Sequence, residues 1–339
     1  MHERIRGEAS VRRVLTIDGG GIKGVFPAAL LAEIEDRIGE PIYDYFDLIA
    51  GTSTGGILAI GLGLGLIAGE LLQLYKEFGP RIFHSHGFAS SLRRLLRAKY
   101  SLEPLRDVVG TAFGNRLLGQ SRKRLLVPAL NLAAERVYIY RTAHHPRLTN
   151  DYKLPAIEVA LATVAAPTYF PIHLSDDGAF VDGSLWARNP LALAVVEAIG
   201  VLDWPREDVR VLSLGCTSQH LDVAWNKRLS FGTSYWGHRI TDVFMKAQSS
   251  SAISTAHTLI GAENVFRISP DTTARGFTID GVRHMPALEA LGREEAARLL
   301  EDLATVFFRS PTEPFIPYHA IADDRQPPLP FPPSSTAAA

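Results

Sequence analysis

Short apolar runs alternate with glycine-rich turns and with stretches of helical apolar spacing through the first half of this 339-residue chain. Residues 11–17 (Val-Arg-Arg-Val-Leu-Thr-Ile) are rich in β-branched and apolar residues, which predicts a buried first strand. A glycine loop follows at 18–24. Apolar residues then recur at Phe26, Leu30, Leu31, Ile34 and Ile38, close to the helical period of about 3.6, with Gly39 as the stop. Residues 46–50 predict a second strand that runs into a serine-containing turn and a helix reaching about Ala68. Strand, loop, helix, strand, turn, helix is the order of an α/β domain with a central, largely parallel sheet flanked by helices.

The later pattern extends this scheme. Residues 70–120 read as helical and less regular, and 91–100 alternate leucines with Arg93, Arg94 and Arg97 at helical spacing. That segment suits either a solvated helix with leucines on the core or a basic, lipid-facing amphipathic helix. The basic run 121–124 lies nearby. Residues 124–132, 137–141 and 209–214 predict strands, and 155–166, 191–199 and 235–260 predict helices. A late strand is expected at 266–268 and an amphipathic helix at 288–308, with no internal repeat. Prolines, serines and alanines from Arg325 onward predict a disordered tail. The expected division is an N-terminal extension at 1–10, a catalytic domain at 11–200, a C-terminal part of the same fold at 201–310, and a Pro-rich tail at 311–339.

Composition narrows the class. Hydrophobic residues make up 46% and charged residues 21%, as in globular proteins. A net charge of -1 gives no general attraction to a nucleic-acid polymer. Cys216 is the only cysteine, so an intrachain disulfide and a cysteine-based metal site are both excluded, and a reducing compartment is expected. The first eight residues lack the apolar core of a secretion signal, which predicts a cytosolic protein. Residues 48–69 carry no charge over roughly the 20 residues a bilayer requires. Seven glycines, two threonines and a serine in that run favour a buried strand–turn–helix over a membrane span.

The chemistry concentrates in two glycine-rich turns. Gly51, Thr52, Ser53, Thr54 and Gly55 form a G-x-S-x-G pattern between apolar runs, the pattern of a nucleophile elbow. Gly19, Gly20, Gly21, Ile22, Lys23 and Gly24 match G-x-G-x-x-G after a strand, and Asp44 or Asp47 lies where a ribose-binding acid of a dinucleotide fold would fall. Asp18 directly before the glycines, and the second strand leading into a serine turn, favour another use. Consecutive unhindered N–H groups beside a nucleophile stabilise the oxyanion of acyl transfer. Such a serine requires a base. His220, His238, His257, His284 and His319 lie downstream without a recognisable context. Asp182, at the end of Ala179-Phe180-Val181 and followed by Gly183, is better placed. A partly buried carboxylate can serve as base directly.

Together these residues resemble the patatin-like phospholipase family, over residues 14–195 and more weakly through 213–215. Asp18 to Gly24 match the family's glycine-rich oxyanion motif, and Gly51 to Gly56 match its elbow. Ala165 to Pro171 match the segment ahead of its aspartate, and Asp182, Gly183 and Ser184, then Asn189 and Pro190, match its Asp-Gly-Gly/Ala and Asn-Pro motifs. The departures are Ser184 for Gly or Ala, Lys23 for the commoner Arg, and Arg188 where a second Asn is frequent. The resemblance implies a three-layer patatin-like fold and a Ser53–Asp182 dyad without histidine. It implies an oxyanion hole from Gly19, Gly20 and Gly21 with added charge from Lys23, and neither metal nor cofactor.

The implied substrate is a phospholipid or other acyl lipid at a membrane surface. The compact bacterial members that the chain resembles include enzymes switched on by cyclic dinucleotides, which degrade the host membrane in antiphage defence. This adds a cyclic-dinucleotide activator, attachment at the inner membrane when active, and a homo-oligomer to the expectations. Residues 216–300, with Lys227, Arg228, Tyr235, Trp236, His238 and Arg239, have the chemistry for such an activator. The alternative is an α/β-hydrolase esterase with a histidine triad. An elbow after only the second strand argues against it.

Overall fold

The computed structural model describes residues 11–83, 97–217, 233–272 and 276–321. The chain starts β1 (Arg12–Ile17), α1 (Val25–Ile38), β2 (Leu48–Gly51), α2 (Thr54–Gly63), α3 (Ala68–Ile82) and α4 (Glu103–Phe113). It continues β3 (Arg124–Asn131), β4 (Arg136–Arg141), α5 (Ala156–Val164), β5 (His173–Ser175), β6 (Gly178–Asp182), α6 (Ser184–Ala187) and α7 (Leu191–Gly200). The last elements are β7 (Val209–Leu214), α8 (Thr233–Ile260), β8 (Val265–Ile268) and α9 (Met285–Val306).

One sheet of eight strands runs β5-β6-β3-β2-β1-β7-β8, with β4 pairing β3. The strands β3, β2, β1, β7 and β8 are mutually parallel, and β4, β6 and β5 add antiparallel pairs. Successive side chains of a strand point to opposite faces, and here both faces are covered. Leu15, Ile17, Ile49, Leu212 and Leu214 enter the core shared with α1, α2, α3 and α9. Val14, Leu48, Ala50, Val209 and Val211 enter a second core with α7 and the end of α8. That gives three layers. Burial on both faces is why the central residues of these strands are mainly apolar. The elements contributed by residues 201–310 complete the same sheet, because β7 pairs with β1 over its full length.

The expected helix to Ala68 is two helices. Gly63, Leu64 and Gly65 end α2, Gly65 adopting φ +88°, and α3 starts afresh at Ala68. The buried Glu35 carboxylate at the end of α1 sets the new start, accepting the N–H groups of Ile42 (2.8 Å) and Ala68 (2.6 Å). Replacing Glu35 with Ala strands both donors. The expected cost is about 2–5 kcal/mol, read as a lowered denaturation midpoint. A midpoint equal to wild type would remove Glu35 from this role.

The region expected to be helical over 70–120 contains α3 and α4. Residues 84–96, most of the leucine–arginine segment, lie outside the described residues, as do the tail from 322 onward and Lys227, Arg228 and His220. Among the described residues no helix is long and apolar enough to cross a membrane. The uncharged run 48–69 is β2, the elbow, α2 and the start of α3.

Candidate active site

β2 and β6 share one edge of β3. A strand has two edges, and β4 occupies the other, pairing from Leu126 to Asn131. On the shared edge Ala50 lies opposite Leu126 and Asp182 opposite Ala129. β2 is parallel to β3 and β6 antiparallel, so their C-terminal ends point at each other across a gap of three residue steps, about 10 Å. The elbow fills that gap.

Ser53, between β2 and α2, has φ +56° and ψ -126°, a conformation that costs a non-glycine residue about 1–3 kcal/mol. The flanking glycines permit the turn. A Cβ on Gly51 would lie 2.0 Å from the Gly55 carbonyl oxygen, and one on Gly55 would lie 2.3 Å from that of Ile17. The Ser53 N–H donates to Thr163 Oγ1 (3.0 Å), whose hydroxyl donates to the Pro128 carbonyl (2.6 Å) in the middle of β3. Ser53 Oγ donates to Asp182 Oδ2 at 2.6 Å, and both residues are buried.

The other carboxylate oxygen of Asp182 accepts the Ser184 N–H (2.7 Å). Burial pushes the Asp182 carboxyl up to about 6, against hydrogen bonds from Ser53 and Ser184 and the charge of Arg188, which pull it down. Ser184 therefore adds a hydroxyl contact that the usual Gly or Ala lacks. Gly183 follows where a Cβ would strike the Pro128 carbonyl at 2.3 Å.

The glycine loop packs directly on the elbow. A Cβ on Gly19 would lie 3.1 Å from that of Ser53. The Gly19 N–H donates to the Arg188 carbonyl (2.9 Å), so in this conformation it is committed and unavailable to a ligand. The Gly20 N–H makes a long bond, 3.3 Å, to Thr54 Oγ1. Gly21 turns the chain at φ +60°, with the Ile279 carbonyl so close that a Cβ would sit 2.1 Å from it. Gly24 lies against Tyr75, whose hydroxyl donates to the Thr54 carbonyl (2.9 Å). Lys23 is buried beside this loop, and burial with the nearby Arg188 charge lowers its ammonium to about 8. Asp18 is anchored by Arg267, whose two terminal nitrogens reach its carboxylate at 2.8 and 2.5 Å.

A strand–elbow–helix, a glycine loop against it and a carboxylate on its serine form the arrangement that the motifs of this chain describe. The sequence profile of the patatin-like phospholipases matches residues 15–195. The chain belongs to that family. It is 38% identical over 266 residues to a cGAMP-activated phospholipase of Pseudomonas aeruginosa, covering 77% of this chain and 78% of that protein. Proteins of the same name from Escherichia coli and Vibrio cholerae are 36% and 35% identical, the matches covering 62% of this chain and 64% and 66% of those proteins.

Three parts of this patatin-like site escape sequence reasoning. Thr163, the hydroxyl near the C-terminal end of α5, ties Ser53 to β3. Arg188 grips Gly19 twice, through its carbonyl and through Nε to the Gly19 carbonyl (3.1 Å). Arg267 is a charge within an apolar strand, a signal that a buried partner exists, but nothing local names Asp18. No described histidine bonds to Ser53. His144 and His173 are buried against Glu197 and Glu158, and His319 meets the Pro146 carbonyl. No group of three or more potential metal-binding side chains occurs among the described residues.

Proposed function

We propose that this chain is a lipid acyl hydrolase of phospholipase A type, in which Ser53 is the nucleophile and Asp182 the base. The observation that carries the reading is the 2.6 Å hydrogen bond from Ser53 Oγ to a buried carboxylate. Asp182 takes the serine proton as Oγ attacks an ester carbonyl, and passes it to the leaving alcohol as the tetrahedral oxyanion collapses to an acyl-serine. Water then attacks the acyl carbon, giving its proton to Asp182, which returns it to Ser53 Oγ as the fatty acid leaves. In this scheme the Gly20 N–H exchanges its long bond to Thr54 for the oxyanion, Gly21 supplies the adjoining donor, and Gly19 holds the loop in place through Arg188. Lys23 adds positive charge close by. The histidine-triad alternative is not favoured.

The family and the names of the relatives support the rest of the reading. The substrate is a membrane phospholipid, and a cyclic dinucleotide switches the enzyme on, so that it works at the inner face of the cell's own membrane in antiviral defence. Residues 216–300 of the C-terminal part are the proposed regulatory region.

Two experiments test this. Mixed phospholipid vesicles incubated with wild type and Ser53→Ala, with and without cGAMP, are expected to release fatty acid only with wild type plus cGAMP. Equal release without nucleotide would remove the activator from the reading, and release by Ser53→Ala would remove the nucleophile. The second is a pH profile on a soluble ester. The base acts as a carboxylate, so kcat/KM is expected to climb as pH rises through about 6 and then level off. A profile centred well above neutrality would point to a different base.

A further inference from the structure

The glycine loop is held from outside by a carbonyl of a distant segment. Residues 276–284 pass from the buried Phe277 towards the buried Met285 at the start of α9, and present Ile279 and Asp280 between those two anchors. The Ile279 carbonyl accepts the Ile22 N–H at 2.7 Å and lies directly against Gly21, which turns at φ +60°. A run of glycines has many backbone states of similar energy, so a donor within it keeps one direction only where something outside the run holds it. Ile279 does that for the peptide that follows Gly21.

Asp280 ties this support to the other side of the site. Its Oδ2 accepts Lys99 Nζ and the Tyr100 hydroxyl (2.9 Å). Partial burial would raise the Asp280 carboxyl, but these two bonds outweigh it and hold the group below the ordinary carboxylate range, so it is charged at neutral pH. Lys99 Nζ also lies 5.2 and 5.8 Å from the ring centroids of Tyr100 and Tyr169. The backbone N–H groups of Lys99 and Tyr100 donate to the carbonyls of Thr168 (3.0 Å) and Tyr169 (2.7 Å). Tyr169 and Phe170 bond through their own N–H groups to the Ala166 carbonyl, and the carbonyl of the adjacent Ala165 accepts the N–H of Asp182 (3.1 Å). A continuous path of contacts thus joins the glycine loop to Asp182 by way of Asp280.

We infer that Asp280 is a positioning residue for acyl transfer: through Lys99 and Tyr100 it fixes the Ile279 carbonyl, which in turn fixes the Gly20 and Gly21 donors against Ser53. This rests on the acyl-hydrolase reading above and names the residue that orders its oxyanion loop. Asp280 lies outside residues 15–195, the part matched by the family profile. The ion pair itself adds little to overall stability, because Lys99 is 41% exposed, so its removal separates positioning from folding.

The test measures kcat and KM of the full chain on a soluble p-nitrophenyl ester with cGAMP present. Asp280→Asn is expected to lower kcat roughly tenfold to a hundredfold, as for a displaced oxyanion donor, with KM within about twofold and the melting temperature nearly unchanged. Affinity for a trifluoromethyl ketone, whose tetrahedral adduct on Ser53 places an oxyanion in the hole, is expected to weaken by the same factor as kcat/KM. Lys99→Ala is expected to follow Asp280→Asn, whereas Lys99→Arg, which keeps the charge and the donor, retains most of the wild-type kcat. A kcat for Asp280→Asn within about twofold of wild type overturns the proposal, and so does an effect confined to KM or an equal loss in Lys99→Arg. A rise in hydrolysis without cGAMP also overturns it, since the contact would then restrain the resting enzyme. If Asp280→Asn melts far below wild type, the comparison of Lys99→Ala with Lys99→Arg decides alone. Failure of the acyl-hydrolase reading is separate: wild type and Ser53→Ala would then hydrolyse the ester equally.

Discussion

Asp182→Asn is expected to abolish hydrolysis and to make the protein more stable at neutral pH. The catalytic half follows from the pairing. A serine that loses its base, or a base that loses its serine, forfeits the coupled proton transfer, so Asp182→Asn and Ser53→Ala should each cost on the order of 10³–10⁶-fold in kcat. Combining them should cost little more than either alone. The stability half follows from linkage. The carboxyl is raised from 3.8 to about 6 by burial, so the folded state holds its proton more tightly than the unfolded chain. Stability from this group is then fullest below about 4, falls as pH rises through about 6, and stays low above, a loss of roughly 3 kcal/mol. Asparagine carries no such charge, although its amide meets the Ser184 N–H less well than a carboxylate does. The expected signature is a melting-temperature gain over wild type that is present at neutral pH and shrinks on acidification. A pH-independent difference, or near wild-type hydrolysis by the variant, would sink the assignment of Asp182.

Arg267→Leu is expected to be among the most damaging substitutions outside the Ser53–Asp182 pair. It leaves the buried Asp18 carboxylate without its two charge-assisted bonds and takes a third contact, 2.8 Å, from Ser213 Oγ. Removing one partner of a buried ion pair costs about 3–5 kcal/mol, since the remaining charge is stranded in a low dielectric. Asp18 opens the glycine loop and its N–H is held by the Leu214 carbonyl (2.9 Å), so soluble-ester activity should fall with stability. Adding Asp18→Asn to Arg267→Leu should recover part of the loss, because the uncompensated charge is gone. A single variant within about 1 kcal/mol of wild type, or a double variant less stable than the single, would show that the pair does not hold the loop.

Much of this arrangement is legible along the chain because it is governed by neighbouring residues. The residues Gly51 and Gly55 announce the elbow, since only glycine fits where the carbonyls of Gly55 and Ile17 approach within 2.0 and 2.3 Å of a notional Cβ. The strands β1 and β7 stand out because burial on both faces favours apolar and β-branched residues through most of their length. Less legible was the break at Gly63–Gly65, where a uniformly apolar stretch masks a change of helix. The mixed character of the sheet around β3 was also hidden, because strand direction depends on connections rather than on local pattern.

Motif and resemblance in the sequence sufficed for the family, for the nucleophile and base as candidates, and for a glycine loop beside them. Each is a matter of local sterics or short-range chemistry. That Ser53 and Asp182, 129 residues apart, meet at 2.6 Å was decided by tertiary structure. Antiparallel β6 and parallel β2 abut along one edge of β3 and aim their ends at each other. The same packing excludes water from the carboxylate and raises its pKa, and commits the Gly19 N–H to Arg188. No stretch of sequence encodes those outcomes alone, because each depends on which distant groups share a space and how much solvent reaches them.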